Sequence, residues 1–343
     1  MDGVFRGALE KIGRICKIEV RPRMTGDIWE TFIENFEGVK VCDKPYLPDF
    51  LIISPPRTAS TWLHTNLCCH PDIFIPEKKE IHYFDRYFRV ANFQWYLNHF
   101  KNTGKRYKGE ATPSYSILPL QMIKLVKSMM PRLKLIFIMR EPVGRTWSEV
   151  KLNQRLEMGP FAINPNYMKW KLDGFSRQQL LELVTFEWYL AHSDYVGSLK
   201  RWLSVFPPDQ IYLGFYETLS KSPQIILEEI FGFLCVPKIS DWTGFQIHEK
   251  INQSSKYNIP AEIADFTRSV FSKKTHELAQ FLNDQFHITL PCEWEKGLKE
   301  TPESKEDIGH ALFDSLGIFQ KGYNDKDLKN ILNTNFPLDL PIN

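Results

Sequence analysis

Two short segments hold most of the residues that could do chemistry. The first reads Ser54-Pro-Pro-Arg57-Thr58-Ala59-Ser60-Thr61-Trp62-Leu63. An apolar run, Phe50 to Ser54, leads into it, and a helical stretch from about Thr58 to Cys69 follows. A helix N-terminus offers unpaired N–H groups and the positive end of its dipole to whatever sits before it. Arg57 adds a forked cation, and Thr58, Ser60 and Thr61 add hydroxyl donors. Capping a helix needs less than this; the set suits a phosphate-like anion. The turn is not GxxxxGK[ST], because no glycine stands between Gly38 and Gly104, and it is not GxGxxG. Neither a Mg-bound triphosphate nor a dinucleotide is the expected ligand.

The second segment is Arg140-Glu-Pro-Val-Gly-Arg145-Thr-Trp-Ser148. It follows the apolar run Lys134–Met139, so Arg140 stands at the C-terminal edge of a strand, where α/β sheets bind ligands. Ser148 lies two turns into the next helix, near enough to share an anion with Arg140. Arg145 and Trp147 project elsewhere by helical geometry. Alone, the segment reads equally well as ordinary surface salt bridges.

The elements that must position these residues alternate. Continuous apolar runs at Phe50–Ser54, Lys134–Met139 and Ile211–Phe215, with a shorter one at Tyr107–Glu110, suit strands buried on both faces of a parallel sheet. Helices are expected over Pro119–Met130, Pro142–Glu157, Arg177–Phe206, Ser222–Leu234 and residues 262–283, with proline in the first turn of three of them. Strand, tight turn and helix in succession predict an α/β, doubly wound parallel sheet flanked by helices. Residues 158–176 read as a loop; Asn166, Tyr167, Lys169, Trp170 and Lys171 within it suit an acceptor site or a plain exposed loop.

The chain has 343 residues, with 43 Lys and Arg against 41 Asp and Glu. A net charge of +2 argues against a nucleic-acid coat or a general membrane-surface binder, so any anion site must be local. No apolar run approaches the roughly 20 residues of a spanning helix, and no secretory segment opens the chain. Val4, Phe5, Ala8, Leu9, Ile12 and Ile15 predict an amphipathic helix folded onto the body. Six cysteines, with no CxxC and no zinc spacing, predict buried free thiols in a reducing compartment. A cytoplasmic protein with no bound metal is the expectation.

The paired segments resemble those of the sulfotransferases that use 3′-phosphoadenosine 5′-phosphosulfate (PAPS). Pro56–Leu63 fits that family's P-K-x-G-T-T-x-L frame, and Arg140 through Ser148 matches every fixed position of R-x-P-x-x-R-x-x-S. His70-Pro71 followed by Lys79-Glu80-Ile81-His82-Tyr83-Phe84 is similar to a segment of carbohydrate and bacterial members. So is Gly109-Glu-Ala-Thr-Pro-Ser-Tyr115, and Phe215-Tyr216-Glu217 is similar to the family's YED segment. The resemblance covers about residues 48–295. Arg57 stands where most members have lysine, as in the tyrosylprotein branch. Ala59 stands where they have glycine. Alanine is tolerated there if the turn stays right-handed; if not, it pays for positive φ, and donor binding weakens or the chain is a relic that binds without turnover.

The resemblance implies a P-loop-like domain over 47–295. The residues outside it read as extensions at 1–46 and 296–343, and Leu312, Phe313, Leu316 and Ile318 suit the latter to packing on the body or to self-association. It implies PAPS as co-substrate, the bisphosphate PAP as product, and transfer to a hydroxyl of a sugar, lipid or small molecule. Glu80 aligns with the catalytic base, and a dry pocket is expected to raise its pKa; by its neighbours alone it reads as a surface carboxylate paired with Lys78 or Lys79. His82, facing the same side in an extended segment, is expected to share proton handling or bind the acceptor. Arg57 is expected to hold the phosphosulfate and offset charge on the departing oxygen. The backbone of Thr58, Ala59, Ser60, Thr61 and Trp62 is expected to cradle the 5′-phosphate, and Arg140 and Ser148 the 3′-phosphate. Trp62 and Tyr216 align with adenine contacts or are core aromatics. Ser254, Lys256 and Tyr257 suit a loop over the donor or an ordinary polar loop. Two other readings stand beside this one: a small-molecule kinase, against which the missing Gly-Lys argues, and a non-catalytic nucleotide-binding relic, which Ala59 motivates.

Overall fold

The computed structural model describes residues 46–89, 91–101, 103–160, 172–249 and 258–294. The expected N-terminal helix, the residues of 158–176 proposed for an acceptor, the 254–257 loop and the 296–343 extension lie outside the described residues.

Among the described residues five strands form one parallel sheet: β1 Phe50–Ile52, β2 Ile73–Phe74, β3 Tyr107–Ala111, β4 Lys134–Met139 and β5 Ile211–Phe215, in the order β2-β3-β1-β4-β5. Phe50 pairs with Gly109 on one side and Lys134 on the other. The apolar runs split by parity, because alternate side chains leave opposite faces of a strand. Leu51, Ile53, Leu135, Phe137 and Met139 pack into one layer with α3 (Leu120–Met129) and α7 (Tyr195–Leu203). Phe50, Ile52, Ile136 and Ile138 pack into the other with α1 (Ser60–Cys68) and α9 (Pro223–Leu234). This is the expected doubly wound sheet. Gly109 is required by close approach: a Cβ there would lie 2.3 Å from the Phe50 ring.

Several elements differ from expectation. β1 ends at Ile52, but Ser54 extends the ladder through its side chain, whose Oγ donates to Ile136 O (3.1 Å) and accepts from Ile138 N (2.9 Å). The helix expected over 177–206 is three: α5 Arg177–Val184, α6 Glu187–Ser193 and α7. Asp194 breaks the last two apart by accepting from Gly197 N, which starts α7 afresh. The short α2 Phe93–Asn98, capped by Asn92, and the two-residue β2 carry too little periodicity to be read in advance. The remaining α-helices among the described residues are α4 Pro142–Leu156, α8 Tyr216–Lys221 and α10 Ala261–Phe286.

The described cysteines, Cys68, Cys69, Cys235 and Cys292, are free thiols, but they are not buried as expected. They sit at helix ends and in connections, where the chain turns outward. No described helix is long and apolar enough to cross a membrane.

Candidate active site

Two helices begin at the C-terminal edge of the central strands, and they treat their N-terminal amides differently. α4 is closed by its own sequence: Glu141 accepts from Val143 N at 3.0 Å and Gly144 N at 2.7 Å. α1 has Ala59 at its N-cap and no side-chain cap. Its first-turn amides therefore remain for an external acceptor. The backbone before it alternates in handedness, with φ of 69° at Arg57 and 76° at Ala59 but not positive at Thr58. Such alternation turns consecutive N–H groups toward one point and makes an anion-binding concavity. The turn at Ala59 is thus left-handed, the case in which alanine is disfavoured. One expectation fails here: the Thr58 hydroxyl is not a ligand donor, because it is buried and donates to Pro55 O at 2.7 Å. Only its backbone is left to the cradle.

Cations gather beside this turn. Arg57 Nε donates to Ser148 Oγ (2.9 Å), and Arg140 Nη1 donates to the Arg57 carbonyl (3.0 Å). The Arg140 guanidinium lies 4.3 Å from the Tyr216 ring centre, within cation–π range. Burial pushes the Arg57 guanidinium down from its ordinary value; Glu149 opposes this, and the neighbouring Arg140 and Arg155 add to it. Lys151 is pushed down by burial and by Arg140 and Arg57. Cations gathered this closely make a place where an anion is favoured. Arg145 points inward as expected, fully buried against Glu149, Ser193 Oγ and the Tyr189 carbonyl. Trp62 is largely structural: buried in the core layer, its indole N–H donates to Ile247 O at 3.2 Å.

The carboxylate side is built by residues 79–85. Glu80 and His82 have φ of 66° and 55°, so the segment is not the extended strand expected. Their side chains meet all the same, with His82 Nε2 3.2 Å from Glu80 Oε2. Behind them, His82 Nδ1 lies 2.8 Å from the buried Asp85 Oδ2, to which Ser114 Oγ also donates at 2.6 Å. In front, Lys79 Nζ donates to Glu80 Oε1 at 3.2 Å. The expected upward pKa shift of Glu80 is reversed. Burial pushes it up, but the His82 hydrogen bond and the charges of Lys79 and His82 outweigh this and hold the carboxyl at about 2. Burial lowers His82, yet Asp85 and Glu80 raise it above its ordinary value. Two residues held in left-handed backbone within one three-residue stretch store strain of the kind found at working sites.

Sequence reasoning missed Asp85, carried Ser114 only within a motif, and saw Lys79 within a motif and as an ion-pair partner for Glu80. The signal for Asp85 was its spacing of three from His82, which puts both on one side of a tight turn.

These groups line one cavity of about 880 Å³, which Arg57, Ser60, Thr61, Lys79, Glu80, His82, Ser114, Arg140, Ser148 and Tyr216 share. Ala59 and Trp62 also line it; Thr58 does not. Its further wall is formed by α4, the turn after it and α6, through Leu152, Arg155, Leu156, Met158 and Trp188. Among the described residues no three His, Cys, Asp or Glu side chains group as a metal site.

The fold is that of a sulfotransferase. A solved sulfotransferase from Alicyclobacillus acidocaldarius superposes with a TM-score of 0.54 at 20% identity, covering 73% of this chain and 99% of the other. The sulfotransferase domain family profile matches residues 47–289, and the chain belongs to that family. The bifunctional heparan sulfate N-deacetylase/N-sulfotransferase 4 of Mus musculus is 28% identical over 238 residues, 64% of this chain but only 26% of that protein. The membrane-associated sulfotransferase kil1 of Dictyostelium discoideum is 23% identical over 333 residues, 73% of this chain and 67% of that protein. The chain spans about a quarter of the heparan sulfate relative it matches.

Proposed function

We propose that the chain moves the sulfuryl group of PAPS to a hydroxyl of a sugar, lipid or small-molecule acceptor, with Glu80 as general base. One observation carries this reading: the uncapped, cation-ringed turn before α1 and the Lys79–Glu80–His82 group open into the same cavity. The residues suit the donor. Amides of residues 58–61 and Arg57 fit a 5′-phosphosulfate, Arg140 and Ser148 a 3′-phosphate, and Tyr216 the base beside it. Ser254, Lys256 and Tyr257 remain candidates for covering the donor, and a reducing, cytoplasmic setting suits the free thiols.

Sulfuryl transfer is mainly positioning and charge stabilisation around an in-line displacement. Arg57 and Arg140 hold and orient the phosphates. Glu80 accepts the acceptor's proton as the new S–O bond forms. His82 takes up hydrogen bonding to Glu80 Oε2, and Asp85 keeps the His82 ring oriented. The low value imposed on Glu80 keeps it ionised at neutral pH.

A thermal-shift titration tests the donor assignment. Adenosine 3′,5′-bisphosphate is expected to stabilise the protein without Mg²⁺, and more than ADP or ATP does. Stabilisation by ATP with Mg²⁺ instead would favour a kinase, and no response to any nucleotide a relic of the fold. Glu80→Gln is expected to abolish transfer while this stabilisation persists.

A further inference from the structure

Arg57 and Lys79 both border the anion turn, but they are committed to different neighbours. Arg57 is tied to α4 through Ser148 and supports Arg140 through its carbonyl. Lys79 Nζ instead reaches Ser60 Oγ at 3.1 Å, Thr61 Oγ1 at 3.0 Å and Glu80 Oε1 at 3.2 Å. Two of these oxygens belong to the first turn of α1, inside the cradle. The third belongs to the base.

We propose that Lys79, rather than Arg57, is the catalytic cation that meets the sulfuryl group as it transfers. The inference rests on the donor reading above and refines it. A group leaving the cradle for an oxygen held by Glu80 passes through the space that this ammonium borders. In that step the bond from sulfur to the bridging oxygen of the 5′-phosphate breaks, and its electron pair stays on the phosphate. The bond from sulfur to the acceptor oxygen forms, and the acceptor proton goes to Glu80. Charge moves from the acceptor oxygen toward the phosphate, past the positive charge of the Lys79 ammonium.

The same geometry couples donor binding to the base. An ammonium has three N–H donors, and here each has an oxygen. An anion entering the cradle takes one donor over. When that donor is the one on Glu80 Oε1, the oxygen facing the cradle becomes open to the acceptor hydroxyl. Arg57, among Arg140 and Arg155, is left as a phosphate binder.

The test needs no knowledge of the acceptor, because water can stand in for it. Wild type, Lys79→Gln, Lys79→Arg and Arg57→Gln are compared on sulfur-labelled PAPS under single-turnover conditions, by release of inorganic sulfate. Binding of adenosine 3′,5′-bisphosphate is followed by calorimetry. K79Q is expected to release sulfate about 100-fold more slowly, with a clearly smaller loss of bisphosphate affinity, about tenfold or less. K79R is expected to regain at least about a tenth of the rate. R57Q is expected to lose about tenfold or more in bisphosphate affinity. A K79Q rate within about threefold of wild type, or a rate loss matched by an equal loss of affinity, overturns the role of Lys79. If K79Q melts below the assay temperature, K79R and Lys79→Met carry the comparison. A wild type that neither binds the bisphosphate nor consumes PAPS overturns the donor reading itself. A competent wild type with an unaffected K79Q overturns the Lys79 inference alone.

Discussion

Arg57 Nε and Ser148 Oγ meet at 2.9 Å across 91 positions of the chain, joining the turn after β1 to the second turn of α4. The bond uses one N–H of a planar fork. It fixes the plane in which the terminal nitrogens lie, and it couples the two anion segments that are far apart in sequence.

That coupling is measurable. Ser148→Ala removes the acceptor and lets the guanidinium rotate; Arg57→Lys removes the fork, and one ammonium cannot reproduce it. Each is expected to weaken adenosine 3′,5′-bisphosphate binding by about tenfold, roughly one charge-assisted hydrogen bond. The double variant is expected to lose less than the product of the two, because both remove one shared interaction. Calorimetry on the four proteins gives the coupling, and strict additivity would show that the contact does not orient Arg57.

Ala59 is held at φ 76°, where glycine alone has no steric penalty. Ala59→Gly removes a cost of about 1–2 kcal/mol in the folded state and adds a smaller entropy to the unfolded one. The net expectation is a gain of about 1 kcal/mol, seen as a Tm higher by roughly 2–4 °C. The amides of the turn keep their direction, so bisphosphate affinity is expected to stay equal or improve. A lower Tm would mean that the left-handed turn is not strained in alanine.

Asp85 sets the charge on His82, and His82 in turn helps to hold Glu80 down. Asp85→Asn withdraws the largest influence that raises His82, so the ring loses its proton at lower pH. Glu80 then loses a cationic partner and climbs from about 2 toward its ordinary 4.5. A base that is ionised only at higher pH moves the acid limb of the activity profile upward, by about one unit. Bisphosphate affinity is expected to be unchanged, because Asp85 does not line the cavity. An acid limb that stays in place would remove Asp85 from the chain of influence.

The frame that carries these groups was legible in the sequence, and the details that tune them were not. β4 and β5 are continuous apolar runs with little else to become. Arg140 and Ser148 follow from a strand end and a helical offset. The left-handed turn was not marked in the sequence, because Arg57 and Ala59 adopt positive φ without the glycine that usually signals it. Lys79 and Asp85 were hidden for a related reason. Their convergence on Glu80 and His82 depends on two more positive φ values, in a stretch whose composition suggests an extended chain. The break of the 177–206 helix depends on Asp194 choosing a neighbouring amide, a competition that hydrophobic periodicity does not register.

Glu110 illustrates a cost that sits directly behind the site. It is buried at the end of β3 and accepts from the hydroxyls of Tyr96 at 2.8 Å and Thr112 at 3.1 Å. Burial pushes its carboxyl from 4.5 up to about 7, although those hydrogen bonds pull the other way. An acid raised in the folded state holds its proton while the unfolded chain has already lost it. Stability therefore falls as pH rises from 4.5 to about 7 and is level above that. At roughly 1.4 kcal/mol per unit, the deficit above pH 7 is about 3 kcal/mol. Glu110→Gln keeps the shape and removes the titration. Urea unfolding at pH 5 and pH 8 is expected to show a drop in wild type that shrinks by most of this amount in the variant. An equal drop in both proteins would mean that Glu110 is ionised in the folded state throughout, with its hydroxyl partners covering the full cost of its burial.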